Sequence, residues 1–207
     1  GWWVSSRLQN GDGTCSYTSS TSSVFTGAGW KPGPALPDKY PEYSCVVNLN
    51  TTHTFLIGGS SSVPSNSPVR SDVWIYDWTS QAWTRTGSLI QARWYHGCVR
   101  LGQGILVAGG FDLNGRKIRT VELYDPDEGT WSSQPNLPRY IDPIAPILFN
   151  WNDEVLALFR GKDRIYKQSK EDGKWREFNV GRLPKLFGGL PLDKAVLVPD
   201  TWSCNPA

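Results

Sequence analysis

The sequence predicts an all-β protein assembled from repeated, small antiparallel sheets. Three observations predict it. A strand ending in Gly-Gly, a strand ending in Tyr-Asp and then a lone Trp recur in that order along the chain. Of 207 residues, 11 are Trp, 21 Gly and 15 Pro, and long apolar runs are few. Aromatic residues set among turn formers are the mark of short strands. Four such strands make a sheet too small to be stable alone. The units must therefore bury their faces against one another, and radial packing does this while leaving only short edges.

The elements follow in order. The chain opens with Trp2-Trp3-Val4-Ser5-Ser6, Ser22-Ser-Val-Phe25 and Trp30, the second, third and fourth strands of a unit whose first strand is missing. The next unit runs from Cys45-Val-Val through Phe55-Leu-Ile-Gly-Gly59 and Asp72-Val-Trp-Ile-Tyr76-Asp77 to Trp83. Another begins at Cys98-Val-Arg-Leu and continues through Ile105-Leu-Val-Ala-Gly-Gly110 and Thr120-Val-Glu-Leu-Tyr124-Asp125 to Trp131. A degraded unit joins Ile144–Phe149 and Val155–Gly161 to Ile165-Tyr166 and Trp175, with Tyr166 read as the motif tyrosine. Phe187-Gly-Gly-Leu190 and Ala195-Val-Leu-Val198 start one more. Trp30, Trp83, Trp131 and Trp175 are 53, 48 and 44 residues apart. A turn follows each: Pro34–Pro37, Gly87–Ile90, Pro135–Pro138 and Gly181–Pro184. Strands are expected near 54–58, 72–77, 104–109 and 120–125, with almost no helix. The Gly pairs are expected to take positive φ and to let neighbouring backbones approach closely. Each repeated Trp is expected to act as an apolar wedge between units.

The double Gly, the Tyr-Asp and the Trp, repeated over almost the whole chain with a period near the expected value of about 50, resemble the kelch family. The Cys45-Val-Val and His96-Gly-Cys98 strands further resemble those of secreted kelch-type proteins of invertebrates. The resemblance implies a kelch-type β-propeller. Three whole four-stranded blades fall at 31–86, 87–134 and 135–178, with partial blades at 1–30 and 179–207. Residues 1–207 are then a single propeller domain or part of one. Propellers of this family usually carry about six blades, so the chain is expected to be part of a larger one.

Lys and Arg total 21 against 19 Asp and Glu, a net charge of +2. That is too near neutrality to point to nucleic acid as a partner. No apolar run approaches the roughly 20 residues of a spanning helix. A start at Gly1 with no Met in the chain reads as processed or truncated, or as engineered.

Cys15, Cys45, Cys98 and Cys204 are all disulfide candidates, and four cysteines allow three pairings. Cys45 and Cys98 occupy the same place in successive repeats, on the innermost strands of neighbouring blades, as two buried thiols or as a bridge. Asn50-Thr51-Thr52 is a glycosylation acceptor in the tight turn between two strands. The even cysteine count, the sequon and the absence of Met together point to secretion.

No catalytic chemistry is expected, and no cofactor or metal. The copper oxidases among kelch relatives need two His, two Tyr and a cross-linking Cys. This chain has only His53 and His96, which belong to opposite ends of their strands. His96, in Trp94-Tyr-His-Gly97, resembles the usual kelch histidine and is expected to make a buried hydrogen bond. Asp112, Asp125, Asp127 and Glu128 have the positions of turn carboxylates.

Strands run alternately up and down, so the loops from second to third strand and those between blades emerge together. They are Ser60–Ser71, Phe111–Arg119, Lys31–Glu42, Thr84–Arg93 and Ser132–Asp142, and the opposite face carries short turns. The long-loop face holds Arg70, Arg85, Arg93, Arg116, Lys117, Arg119 and Arg139 among Phe111, Trp94, Tyr95 and Tyr140. Arg and aromatic residues are the common anchors of protein interfaces. Arg70, Phe111, Arg116, Lys117, Arg119 and Tyr140 are the candidate partner-binding residues. Arg93 and Arg139 lie where kelch repeats use Arg for structural hydrogen bonds. These features suggest a non-catalytic interaction or scaffold module, extracellular, binding a protein partner through this face or serving as a subunit of an assembly. The alternative is an intracellular kelch adaptor: a ubiquitin-ligase substrate receptor or an actin-binding protein.

Overall fold

The computed structural model describes residues 28–37, 43–60, 68–144, 146–159 and 164–179, together with strand backbone at 2–5, 8–9, 15–16 and 22–25. Strands β1 (Trp2–Ser5), β4 (Ser22–Phe25) and β5 (Trp30–Pro32) form a three-stranded antiparallel sheet, and β2 (Leu8–Gln9) pairs with β3 (Cys15–Ser16). Three four-stranded sheets follow. The first blade is β6 (Cys45–Asn48), β7 (His53–Ile57), β8 (Val73–Asp77) and β9 (Ala82–Thr86). The second is β10 (Gly97–Leu101), β11 (Gly104–Ala108), β12 (Val121–Asp125) and β13 (Thr130–Gln134). The third is β14 (Ile147–Trp151), β15 (Glu154–Leu158), β16 (Ile165–Gln168) and β17 (Trp175–Phe178). Every pairing is an antiparallel meander, and there is no helix among the described residues. The architecture is that of a kelch β-propeller. The strand starting at Ile144 begins instead at Ile147. Phe187–Leu190 and Ala195–Val198 lie outside the described residues.

The core lies between blades. Phe55, Ile57, Val73 and Leu89 pack against Ile105, Val107, Tyr124 and Trp131 across the first joint. Leu106, Ala108 and Val121 pack against Val155, Ala157, Phe159, Tyr166 and Trp175 across the second. Alternate residues of β11 thus serve two joints, which is why it is apolar on both faces and wholly buried. Trp131 and Trp175 are buried wedges, whereas Trp83 is partly exposed and donates to the Ala35 carbonyl at 2.7 Å.

The Gly pairs behave as expected. Gly109 and Gly110 have φ of 72° and 96°. A Cβ on Gly109 would lie 2.2 Å from the Pro143 carbonyl oxygen.

The third blade corrects one assignment. Tyr76 faces Trp83 and Tyr124 faces Trp131 across their strand pairs, but the residue facing Trp175 is Gln168. Tyr166, read as the motif tyrosine, stands two places earlier, where the second blade has Glu122. Gln168 lies seven residues before Trp175, as Tyr76 and Tyr124 lie before Trp83 and Trp131, so Gln168 replaces the motif tyrosine and Tyr166, nine residues back, stands one full pleat away.

Candidate functional site

The long-loop face is built on a buried ion pair. Arg93, fully buried, sends Nη1 to the carbonyls of Gly109 and Thr120 at 3.0 and 2.9 Å. Its Nη2 donates to Thr120 Oγ1 at 2.9 Å and to Glu122 Oε1 at 2.5 Å. Glu122 also accepts the backbone N–H groups of Ile90 and Gln91 at 2.7 and 3.1 Å. The pair ties the loop between blades to β11 and β12. Burial pulls the Arg93 pKa down, and the Glu122 carboxylate opposes that shift. This confirms the structural use of Arg93. Arg139, read as its counterpart one blade on, is exposed instead. It stands two residues after Leu137, as Gln91 stands after Leu89, and the buried Ile141 takes the place four residues after the leucine that Arg93 holds.

His96 is 7% exposed, and its ring nitrogens have no hydrogen-bond partner among the described residues. The expected hydrogen bond is not made at normal geometry, although the ring lies close enough to the Ile57 carbonyl to feel it. Burial foremost, then the charge of Arg93, lower its pKa to about 3. His53 opens β7, just after the turn, and is bound up with Asn50 and Thr52. No group of His, Cys, Asp or Glu able to hold a metal occurs among the described residues.

Above this base lies an aromatic cluster. Trp94 stacks on Phe111 with centroids 4.9 Å apart. Tyr43 meets Trp94 at 5.5 Å and Tyr95 at 4.8 Å. Tyr43 and Tyr95 both take left-handed backbone, with φ of 55° and 57°, and the Tyr95 N–H donates to the Tyr43 carbonyl at 3.0 Å. This bond joins the first two blades at the face. Just beneath it, Cys45 on β6 and Cys98 on β10 form a disulfide, with Cα atoms 6.1 Å apart. Both cysteines are half-buried rather than sealed in. The side chain of Cys15 and all of Cys204 lie outside the described residues.

The candidate residues divide by what they touch. Phe111 bridges in backbone to Trp94 and Lys117, so the Phe111–Arg119 loop is a small hairpin. Asp112 Oδ1 closes it, accepting the N–H groups of Asn114 and Arg116 at 2.8 Å each. Arg116 is exposed, and its guanidinium forms no ion pair among the described residues. Lys117 reaches Asp142 at 3.3 Å. Arg119 donates to the Arg139 carbonyl at 3.2 Å. Tyr140 is 62% exposed. Arg70 and Arg85 both pair with Asp72. Most of the Ser60–Ser71 loop lies outside the described residues. Asp77 and Asp125 accept N–H groups of their own turns, and Asp77 has a lowered pKa chiefly through its bond from the Thr79 N–H. Sequence reasoning missed two residues. Glu122 was hidden inside an apolar strand motif, and Tyr43 had no mark beyond being two residues before Cys45.

The family described as Kelch motif matches residues 92–138, the second blade and its flanks. The F-box/kelch-repeat protein SKIP30 of Arabidopsis thaliana is 32% identical over 118 residues, covering 52% of this chain and 33% of that protein. Kelch-like protein 35 of Mus musculus is 30% identical over 118 residues, covering 56% and 19%. The chain thus spans a third or less of the length of these relatives. The solved structure of YjhT superposes with a TM-score of 0.63 at 12% identity, over 77% of this chain and 59% of that one. Repeats, blades and relatives agree: the chain carries a Kelch motif at residues 92–138 and is similar to kelch-repeat proteins.

Proposed function

We propose that this chain is a non-catalytic interaction module that works outside the cell and holds a protein partner on its long-loop face. The observation that carries the reading is the Tyr43, Trp94, Tyr95 and Phe111 cluster beside the cations Arg116 and Lys117. Rigid aromatic surface next to Arg is how interface hot spots are built. A guanidinium binds carboxylates through paired hydrogen bonds, so the partner surface is acidic or rich in carbonyls. Of the candidates, Arg116 is the cleanest probe, because Phe111 and Arg119 also hold the face together.

The Cys45–Cys98 bridge supports an oxidising compartment. Asn50 is exposed in its turn, as a glycosylated side chain must be. Relatives named F-box/kelch-repeat and Kelch-like favour a second reading, an intracellular adaptor. Non-reducing mass spectrometry of protein from its native source separates the two: a bridge with a sugar on Asn50 supports the first, free thiols and a bare Asn50 the second. For the face itself, a partner is captured from the same source and its binding compared across variants. Arg116→Glu weakens association and reduces its salt dependence without moving the melting temperature. Intact binding after Arg116→Glu and after Lys117→Glu places the contact elsewhere.

A further inference from the structure

The first joint between whole blades is fastened at its inner edge by a covalent bond, and the second is not. Cys45 faces Ile57 in its strand pair as Gly97 faces Ala108, and Cys98 faces Val107 as Leu148 faces Ala157. One blade on, the place of the Cys45–Cys98 bridge is therefore taken by Gly97 and Leu148. There the strands close by contact alone. A Cβ on Gly97 would lie 2.3 Å from the Pro146 carbonyl oxygen and 3.1 Å from Leu148 Cγ. The first joint holds two side chains at that place, with Cα atoms 6.1 Å apart, and both cysteines are half-buried. A joint of this fold closes there without a bridge, so the bridge makes the first joint alone dependent on redox state.

The bridge stands at the root of the aromatic cluster. Tyr43 is two residues before Cys45, and Tyr95 is three before Cys98. Their left-handed backbone, at φ of 55° and 57°, is unfavourable for a residue with a Cβ and persists only where the surroundings enforce it. The Tyr95 N–H bond to the Tyr43 carbonyl and the contacts of the Tyr43 ring with Trp94 and Tyr95 cross between the blades here. Trp94 and Phe111 are secured differently. Each donates its backbone N–H to the other's carbonyl, at 3.1 and 2.9 Å, on the second blade's side. Tyr43 is thus the member of the cluster that the bridge anchors.

We propose that the Cys45–Cys98 bridge is a redox clasp, which holds Tyr43 in the long-loop face and releases it when a dithiol reductant opens the bond. A thiolate of the reductant attacks one bridge sulfur and expels the other as a thiolate, forming a mixed disulfide. The reductant's second thiolate then displaces the remaining cysteine. The bridge takes up two electrons and two protons to become two thiols, and the dithiol becomes a disulfide. Tyr43 then relaxes from its left-handed backbone, and the Tyr95 N–H loses its acceptor. The Trp94–Phe111 stack stays. The blades stay joined through Phe55, Ile57, Ile105 and Val107. Their outer edge stays closed where a Cβ on Gly87 would lie 2.2 Å from the Gly129 carbonyl oxygen, and Trp131 Nε1 donates to the Gly87 carbonyl at 2.8 Å. The effect on a bound partner rests on the reading of this face as the contact; the opening itself does not.

The test is amide hydrogen exchange, read by NMR in the folded chain before and after reduction with dithiothreitol, with thiols counted by alkylation and mass spectrometry. Exchange of the Tyr95 N–H should quicken by on the order of tenfold or more, while Leu106 on β11 and Leu123 on β12 keep their protection. Cys45→Ser/Cys98→Ser should match the reduced chain and ignore dithiothreitol. A Tyr95 N–H that stays protected in the reduced chain overturns the proposal. So does a bridge that opens only when Leu106 and Leu123 exchange as well, because reduction then waits on unfolding of the blades. Free thiols at both positions in protein from its native source overturn it too. If Arg116→Glu and Lys117→Glu leave partner binding intact while reduction still frees the Tyr95 N–H, the contact lies elsewhere and the clasp stands.

Discussion

Replacing Arg93 with Met tests the architecture of the long-loop face most directly. Arg93 is 0% exposed and Glu122 2%, so water cannot take over from either partner. The substitution deletes the bonds to Gly109, Thr120 and Glu122. It leaves a buried carboxylate held only by the N–H groups of Ile90 and Gln91. Removing one partner of a buried ion pair costs about 3–5 kcal/mol. Against a total stability of about 5–15 kcal/mol, that is a large fraction. Glu122→Leu should cost a similar amount, because it leaves the guanidinium charge uncompensated. Arg93→Met/Glu122→Leu should cost less than the two added together, with a coupling of about 1–3 kcal/mol. The remaining loss reflects backbone groups without partners. Urea unfolding followed by tryptophan fluorescence reads all three variants at unchanged slope. An Arg93→Met loss below about 1 kcal/mol, or additivity within about 0.5 kcal/mol, would falsify the claim that this pair holds loop to blade.

Three further outcomes are expected. The folded state keeps His96 neutral down to about pH 3, while the unfolded chain takes up a proton below about 6.5. Stability should therefore fall on acidification between those values by roughly 1.4 kcal/mol per pH unit, and His96→Phe should lack this component in urea titrations across pH. Reducing Cys45–Cys98, which closes a chain separation of 53 residues, should lower stability by about 2–4 kcal/mol. Cys45→Ser should reproduce the loss and make it insensitive to reductant. Gly87→Ala should cost about 1–3 kcal/mol by forcing a methyl onto the Gly129 carbonyl, and an unchanged melting temperature would show that the first joint is not closed as described.

Much of this protein was legible in its sequence, because the repeated signals are local. Gly58-Gly59 and Gly109-Gly110 mark backbone that needs positive φ, and Tyr76 and Tyr124 mark strands that face a Trp at fixed distance. The same counting placed Cys45 and Cys98 on neighbouring inner strands. It did not decide between thiols and a bridge, since that depends on the 6.1 Å Cα separation set by how two blades lie together. Long-range choices were hidden for the same reason. Arg93 and Arg139 look alike in the chain, but only Arg93 stands where the loop turns inward to Glu122, and at that place the next loop has the buried Ile141. Tyr166 was misread because it was matched by residue type, whereas the seven-residue spacing to the Trp falls on Gln168. Tyr43 joined the aromatic cluster only through a contact across blades. Strand order, turn chemistry and repeat period are written residue by residue and are therefore readable from sequence. Which side chains meet across a joint is decided by packing between units tens of residues apart, and only the tertiary structure carries that.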